Sequence, residues 1–168
     1  AKWRRWDTCG LCEQDYHGVV VCALGWACWK TYVGRPETDM VRVTALAELG
    51  NGLADGKHNE DALSVRETQL AMYQRLGAPE QTMLWFQTSL ASTYQDLRRY
   101  EEAIVLRRNV YSGSLKLYGE EHVETLAAAA DYAHSLNGLQ RFEEAKSLMR
   151  KMMPVARCSF TEGHVDML

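Results

Sequence analysis

Apolar side chains recur along this chain at helical spacing, and the pattern repeats about every 42 residues. Each repeat contains a seven-residue phrase that ends in alanine, and Ala62, Ala103 and Ala145 lie 41 and 42 residues apart. Leucine or tyrosine stands nine and thirteen residues before each alanine, and glycine or alanine stands twelve residues before it. This spacing is typical of one packed helix face with a close contact. More apolar residues follow each alanine, so every repeat predicts two amphipathic helices.

The two helices of a repeat, helix A and helix B, are joined by a short turn. We predict helix A at 39–55, 80–96 and 122–138 and helix B at 59–76, 100–117 and 142–157. Acidic residues begin each helix B, where the helix dipole favours negative charge. Gly77 and Gly119 stand where the first two B helices should end, and Pro154 should bend or shorten the third. A fixed period of this size predicts an all-α fold of stacked helix pairs, in which each unit buries its apolar face against its neighbours.

The chain divides into three predicted parts. Residues 1–17 form a short Cys-rich N-terminal segment, 18–36 form a capping helix, and 37–168 hold three repeats and the start of a fourth. The run from 18 to 33 is apolar and rich in tryptophan and tyrosine, so we expect it to cover the first repeat rather than to bind a ligand. Because the chain lacks an initial Met and stops inside a repeat phrase, we expect a fragment of a longer protein.

Two phrases carry a resemblance to a known family: LASTYQDLRRYEEA at 90–103 and YAHSLNGLQRFEEA at 132–145. They resemble the tetratricopeptide repeat, and the 42-residue period with the linker LYGEEHVETL at 117–126 is similar to the kinesin-light-chain variety. The resemblance covers about 39–168. It implies a right-handed α-solenoid of antiparallel helix pairs, a protein-interaction scaffold whose A helices line a concave groove. The first repeat departs from the pattern, with Asn59 where an aromatic is usual and Gly52 inside helix A.

Repeat register gives the positions on helix A that should face this groove. The partner-binding residues predicted in this way are Asn51, Trp85, Thr88, Ser92, Gln95, His134 and Asn137. Asn51, Ser92 and His134 share one register position and either hydrogen-bond to an extended peptide or are merely solvated. Trp85 would be the apolar anchor, whereas Arg107 and Lys146 are predicted on the opposite face. The groove shows no cluster of lysine and arginine, so we do not expect the clamp by which some tetratricopeptide proteins hold a chaperone C-terminus.

The composition of the chain excludes some classes of binding partner. The net charge of −3 argues against nucleic-acid binding, which normally requires a basic surface. No apolar run approaches the roughly 20 residues that a membrane span requires. Five cysteines, four of them between positions 9 and 28, form no disulfide framework, which favours a reducing, cytoplasmic setting. We therefore expect a protein or peptide partner, no nucleic acid and no membrane.

The N-terminal cysteines leave three interpretations open. Cys9, Cys12, His17 and Cys22 have the spacing C-x2-C-x4-H-x4-C, which could complete a tetrahedral zinc site and is similar to the retroviral zinc knuckle. In a second interpretation Cys9 and Cys12 are the last ligand pair of a RING- or MYND-like finger whose other ligands lie upstream. In the third no metal binds, and Cys22 packs in the core.

Catalysis finds little support. Cys28, His17 and Asp15 could be imagined as a nucleophilic triad, but no nucleophile elbow, phosphate loop or metalloprotease motif accompanies them. We predict a binding scaffold and not an enzyme. The alternative functions are a zinc-finger adaptor and, on spacing alone, a nucleic-acid-binding knuckle.

Overall fold

The computed structural model describes residue 6, residues 8 and 9 and residues 11–162, with side chains described as far as residue 154. These residues form seven α-helices and no β-strand, and Thr8 and Asp15 make one isolated antiparallel bridge. The helices are α1 (Val19–Tyr32), α2 (Met40–Asp55), α3 (Asn59–Arg75), α4 (Glu80–Asp96), α5 (Tyr100–Tyr118), α6 (Val123–Gly138) and α7 (Phe142–Glu162). The all-α prediction is confirmed, with α2, α4 and α6 as the A helices.

All three turns between helix A and helix B have the same geometry. Lys57, Arg98 and Gln140 adopt left-handed φ angles of 65°, 59° and 59°. The next residue in each case donates its N–H to a carbonyl five residues back, at 2.9 Å for His58 to Leu53. The same bond recurs at 2.8 Å and 2.9 Å in the second and third repeats. This bond closes the end of a helix, so one local motif sets the path of the chain in every repeat.

Glycine ends two of the B helices as predicted, since Gly77 and Gly119 adopt φ angles of 63° and 88°. The third B helix, α7, is longer than predicted. It continues past Pro154 to residue 162, whereas the sequence placed its end at 157. No helix in the described part of the chain is long and apolar enough to span a membrane.

The chain forms two compact units, residues 1–78 and 79–168. In the second unit α4 packs on α5, α5 on α6 and α6 on α7. One core cluster of this unit contains Ile104, Ala133, Leu136 and Ala145. The repeat alanines Ala103 and Ala145 are both buried, as the register predicted.

Overpacking at a repeat alanine tests this arrangement. Ala103 is fully buried, so Ala103→Leu should destabilise the second unit by about 1–3 kcal/mol. Ser112→Leu, at an exposed position of the same helix, adds the same side chain outside the core and should change stability little. Urea unfolding followed by circular dichroism measures both, and equal midpoints for the two variants would show that the repeat alanine is not at a close contact.

Glycines bring α1 and α2 together in the first unit. A Cβ atom added at Gly52 would lie 2.6 Å from the carbonyl oxygen of Val21, and one added at Gly25 would lie 3.0 Å from that of Glu48. The two helices therefore meet backbone to backbone. Gly52 departs from the repeat pattern, and its lack of a side chain allows α1 to pack closely against α2.

Candidate functional site

A cavity of about 380 Å³ lies between α4 and α6 in the second unit, with α5 as its floor. We call it the α4–α6 cavity. Two of the predicted partner-binding residues, Trp85 and Thr88, line it. The other lining residues are Gln81, Leu84, Val110, Ser114, Tyr118, His122, Glu124, Ala127, Ala128 and Asp131. The cavity lining thus combines apolar side chains such as Leu84 and Val110 with polar ones, which is the usual composition of a binding site.

Trp85 is the large exposed apolar group of this cavity. Its side chain is 53% exposed although it lies in the middle of a helix. The ring meets the buried Phe86 ring edge to face, with centroids 4.7 Å apart and planes at 83°. This arrangement favours one ring orientation, so the indole is available to a partner with little side-chain entropy left to lose.

Arg107 on α5 links the two walls of the cavity. It donates a hydrogen bond of 2.5 Å to Asp131 Oδ2 on α6 and one of 2.9 Å to Ser92 Oγ on α4. Only 4% of the residue is exposed, so the prediction that Arg107 lies on the opposite, exposed face was wrong. Burial lowers the pKa of the guanidinium, and the charge of Asp131 opposes that shift.

The Ser92 hydroxyl is engaged inside the unit. Besides accepting from Arg107, it donates to the carbonyl oxygen of Thr88 at 3.1 Å. The first repeat has the equivalent contact, because Arg66 Nη2 donates to Asn51 Oδ1 at 3.3 Å. Both arginines stand four residues after the repeat alanine. Ser92 and Asn51 therefore contact helix B of their own repeat, which register alone did not predict.

The remaining predicted groove residues differ in exposure. Gln95 is half-buried, while His134 and Asn137 are exposed on α6. In the third repeat Met149 stands where the first two repeats have arginine. His134 therefore has no arginine opposite it of the kind that contacts Asn51 and Ser92. A role for Gln95, His134 and Asn137 in partner binding stays a prediction.

One edge of the cavity is fixed by His122. Its Nδ1 accepts a hydrogen bond of 3.2 Å from the N–H of Glu124 and so caps α6. Its ring stacks on Tyr118 with centroids 4.7 Å apart. Glu124 and Asp131 are the charged lining residues of the cavity, and neither lysine nor arginine lines it. Asp131 is paired with Arg107, so the negative charge that a partner would meet in the cavity comes from Glu124.

A second cavity, of about 340 Å³, lies within the first unit. Asp15, Tyr16 and His17 line one side of it, and Asn51 lies opposite on α2. The backbone N–H of Gly18 donates to the carboxylate of Asp55 and holds the N-terminal segment against that helix.

Residues 8, 9 and 11–16 belong to a small hairpin that carries Cys9 and Cys12. Cys9 N–H donates to the carbonyl of Gln14 at 2.9 Å, and Glu13 N–H donates to the carbonyl of Cys9 at 2.9 Å. The N–H groups of Cys12 and Leu11 hydrogen-bond to the Cys9 sulfur and lower the pKa of its thiol to about 7. We call this segment the cysteine hairpin.

The four predicted zinc ligands are not assembled in the described residues. Cys22 is 8% exposed and packs with Leu46, Leu49 and Leu53, because α1 carries it into the core. Across the described residues, no three His, Cys, Asp or Glu side chains are grouped so that they could hold a metal. Cys12 and His17 are exposed, and Cys9 is partly exposed. Cys28 is fully buried, so the imagined triad lacks an accessible nucleophile.

The helix pairs of the second unit match a known family. Residues 81–157 fit the family model of the tetratricopeptide repeat. Residues 81–157 form tetratricopeptide repeats. This agrees with the repeated turn and with the buried alanines, which are the close contacts of each helix pair. No curated protein sequence matches the chain.

Solved structures of other proteins share the fold. The nearly identical TPR-like repeats assigned to a kinesin light chain of Podosopora anserina align with a TM-score of 0.66 at 20% identity, over 81% of this chain and 64% of that one. BtubC (BKLC) from P. vanneervenii aligns with a TM-score of 0.63 at 16% identity, over 80% and 55%. The apo form of RapI aligns with a TM-score of 0.69 at 15% identity, over 87% and 52%. The chain spans less than two thirds of each of these structures, and at such identities the likeness establishes the fold.

Proposed function

We propose that this repeat scaffold binds an extended peptide segment of a partner protein, and that the α4–α6 cavity is the binding site. The observation that carries the proposal is Trp85, a half-exposed indole in a formed cavity between two A helices. Large aromatic residues in such positions supply most of the binding energy of many interfaces. Thr88 lies one turn further along α4 and lines the same cavity.

The peptide extends from the cavity along the exposed sides of α4 and α6. Gln95 lies seven residues after Thr88, and His134 lies three residues after Asp131, so each continues the helix face of that lining residue. Asn137 follows His134 one turn later. These side chains can hydrogen-bond to an extended backbone. Ser92 contributes indirectly in this proposal, because its hydroxyl anchors Arg107.

The negative charge of the α4–α6 cavity favours a partner peptide with positive charge. Glu124 is exposed and about half of the Asp131 side chain is exposed, at 46%. Because Arg107 offsets the charge of Asp131, Glu124 supplies the negative charge that a partner meets, so an acidic peptide meets repulsion and a basic one meets attraction. We infer a partner segment with an apolar side chain for Trp85 and a lysine or arginine close to it.

Selection from a random peptide library tests this chemistry. The immobilised chain should enrich sequences that combine an aromatic or aliphatic residue with adjacent lysine or arginine. The matched selection uses Glu124→Gln, which keeps the shape of the side chain and removes its charge; enrichment of basic residues should fall. Enrichment of acidic peptides, or the same basic preference in both selections, would contradict the proposed charge recognition.

A second candidate role is that of an adaptor joined to a zinc finger, and it rests on the exposure of Cys12 and the partial exposure of Cys9. The buried Cys22 is a thiol that forms no disulfide, which suits a reducing compartment, and we infer a cytoplasmic location on this ground. We propose no catalytic activity for the α4–α6 cavity, because its exposed side chains, such as Trp85 and Glu124, are suited to binding a peptide.

A further inference from the structure

We propose that Arg107 is a specificity-determining residue of the α4–α6 cavity and sets how many basic residues the bound peptide carries. This inference rests on the proposed function, because it concerns the peptide that the same cavity binds. Arg107 neutralises Asp131 from inside the wall and leaves Glu124 to supply the negative charge. The cavity therefore selects one basic residue of the peptide rather than two.

The guanidinium of Arg107 is buried and bonded to both walls of the cavity. Its Nη1 donates to Asp131 Oδ2 at 2.5 Å, and its Nη2 donates to Ser92 Oγ at 2.9 Å. Only 5% of its side chain is exposed, and Arg107 is not among the described residues that line the cavity. A ligand in the cavity therefore senses the charge of Arg107 mainly through its effect on Asp131.

Asp131 faces both the buried arginine and the cavity. It belongs to the lining on α6, and 46% of its side chain is exposed. A carboxylate at this position could pair with a cationic side chain of a ligand, but an opposite charge in direct contact cancels most of its field at longer distance. Counted with Arg107, the lining carboxylates Asp131 and Glu124 carry one net negative charge instead of two.

The third repeat shows that the fold accepts an apolar residue at the position of Arg107. Met149 also stands four residues after its repeat alanine, and it packs against the core cluster of the second unit. Apolar residues of similar volume often stabilise a protein as well as a buried ion pair does. Methionine would therefore meet the needs of packing, and the charge is what arginine adds in the second repeat.

Replacing Arg107 with methionine should present a second carboxylate to the ligand. In the random-peptide selection, Arg107→Met should enrich sequences with two lysine or arginine residues beside the apolar one, whereas the parent should enrich sequences with one. A peptide that carries the second basic residue should bind the variant about threefold to fivefold more tightly than the parent, as expected for one added, partly exposed ion pair.

Further variants separate the charge of Arg107 from its link between α4 and α6. Arg107→Met combined with Asp131→Asn breaks the same contacts without presenting a second carboxylate, so it should again select one basic residue. Arg107→Lys keeps the charge and should also select one. Arg107→Gln is neutral but retains hydrogen-bond donors, and it repeats the test if Arg107→Met does not fold. Circular dichroism establishes that each variant compared is folded.

The results distinguish this inference from the proposed function. If the parent enriches no peptide, peptide binding in the cavity is refuted and this inference falls with it. If the parent enriches basic peptides and a folded neutral variant of Arg107 selects the same number of basic residues, only the role of Arg107 is refuted. Selection of two basic residues by the variant that also carries Asp131→Asn would overturn it as well, because the gain would not come from the carboxylate.

Discussion

Replacing Gly52 with alanine should destabilise the first unit by about 2–3 kcal/mol, although alanine is the better helix former. The added Cβ would lie 2.6 Å from the carbonyl oxygen of Val21 and 3.2 Å from the Cα of Cys22. These are backbone atoms, so a rotamer change cannot relieve the clash and α1 must move away from α2. Urea unfolding followed by circular dichroism measures the loss.

Gly50 provides the matched control on the same helix. A Cβ at this position would lie 3.4 Å from Val65 Cγ1 and 3.5 Å from the Cγ atom of Arg66, which is ordinary contact with side chains. Gly50→Ala should therefore be neutral or should stabilise by up to about 1 kcal/mol through helix propensity. If both variants changed stability in the same direction and by the same amount, close backbone packing of α1 on α2 would be refuted.

Asp131→Ala should destabilise the second unit by about 3 kcal/mol, because it leaves the buried guanidinium of Arg107 without its counter-charge. Removing the other partner of the pair, by Arg107→Met, should reduce stability much less. Arg107→Met keeps most of the buried volume and removes the charge, while the half-exposed carboxylate of Asp131 regains water. A replacement that conserves volume in this way costs less than about 1.5 kcal/mol.

The order of these two costs distinguishes a buried charge from a surface ion pair. Exposed pairs contribute only about 0–1 kcal/mol, so for a surface pair both substitutions would be small and similar. Denaturant unfolding of the two variants and of the parent gives the comparison. A larger loss for Arg107→Met than for Asp131→Ala would contradict the burial argument.

The sequence predicted the repeated helices well because their determinants are local. The spacing of large and small residues around Ala62, Ala103 and Ala145 depends on one helix at a time, and the turn after each helix A uses the same backbone bond. Trp85 was placed by the same register, and the structure puts it on the cavity wall.

Long-range packing accounts for what the sequence did not predict. The repeat register places Arg107 on the face opposite the groove. Its burial depends on an ion pair with Asp131, which lies 24 residues further along the chain. The recurrence of arginine at Arg66 and Arg107, four residues after the repeat alanine in two repeats, was the available signal. Gly52 likewise looked unfavourable because its partner is α1, which lies outside the repeat.

The cysteines show the limit of spacing as a criterion. The interval from Cys9 to Cys22 fits a four-ligand zinc site, but α1 begins at Val19 and turns Cys22 towards Leu46 and Leu49. Helix formation thus separates the last predicted ligand from the first two. Among the four described cysteines, Cys9 and Cys12 lie near the surface, in a hairpin whose backbone bonds are local.

The affinity of a selected peptide for two aromatic variants tests the central proposal most directly. Trp85 and Phe142 are similarly exposed, at 53% and 59%, but only Trp85 lines the α4–α6 cavity. Isothermal titration should find binding to Trp85→Ala weakened by about 2 kcal/mol, roughly thirtyfold, and binding to Phe142→Ala unchanged. Equal affinity of the parent and Trp85→Ala, with both variants folded, would contradict peptide binding in the α4–α6 cavity.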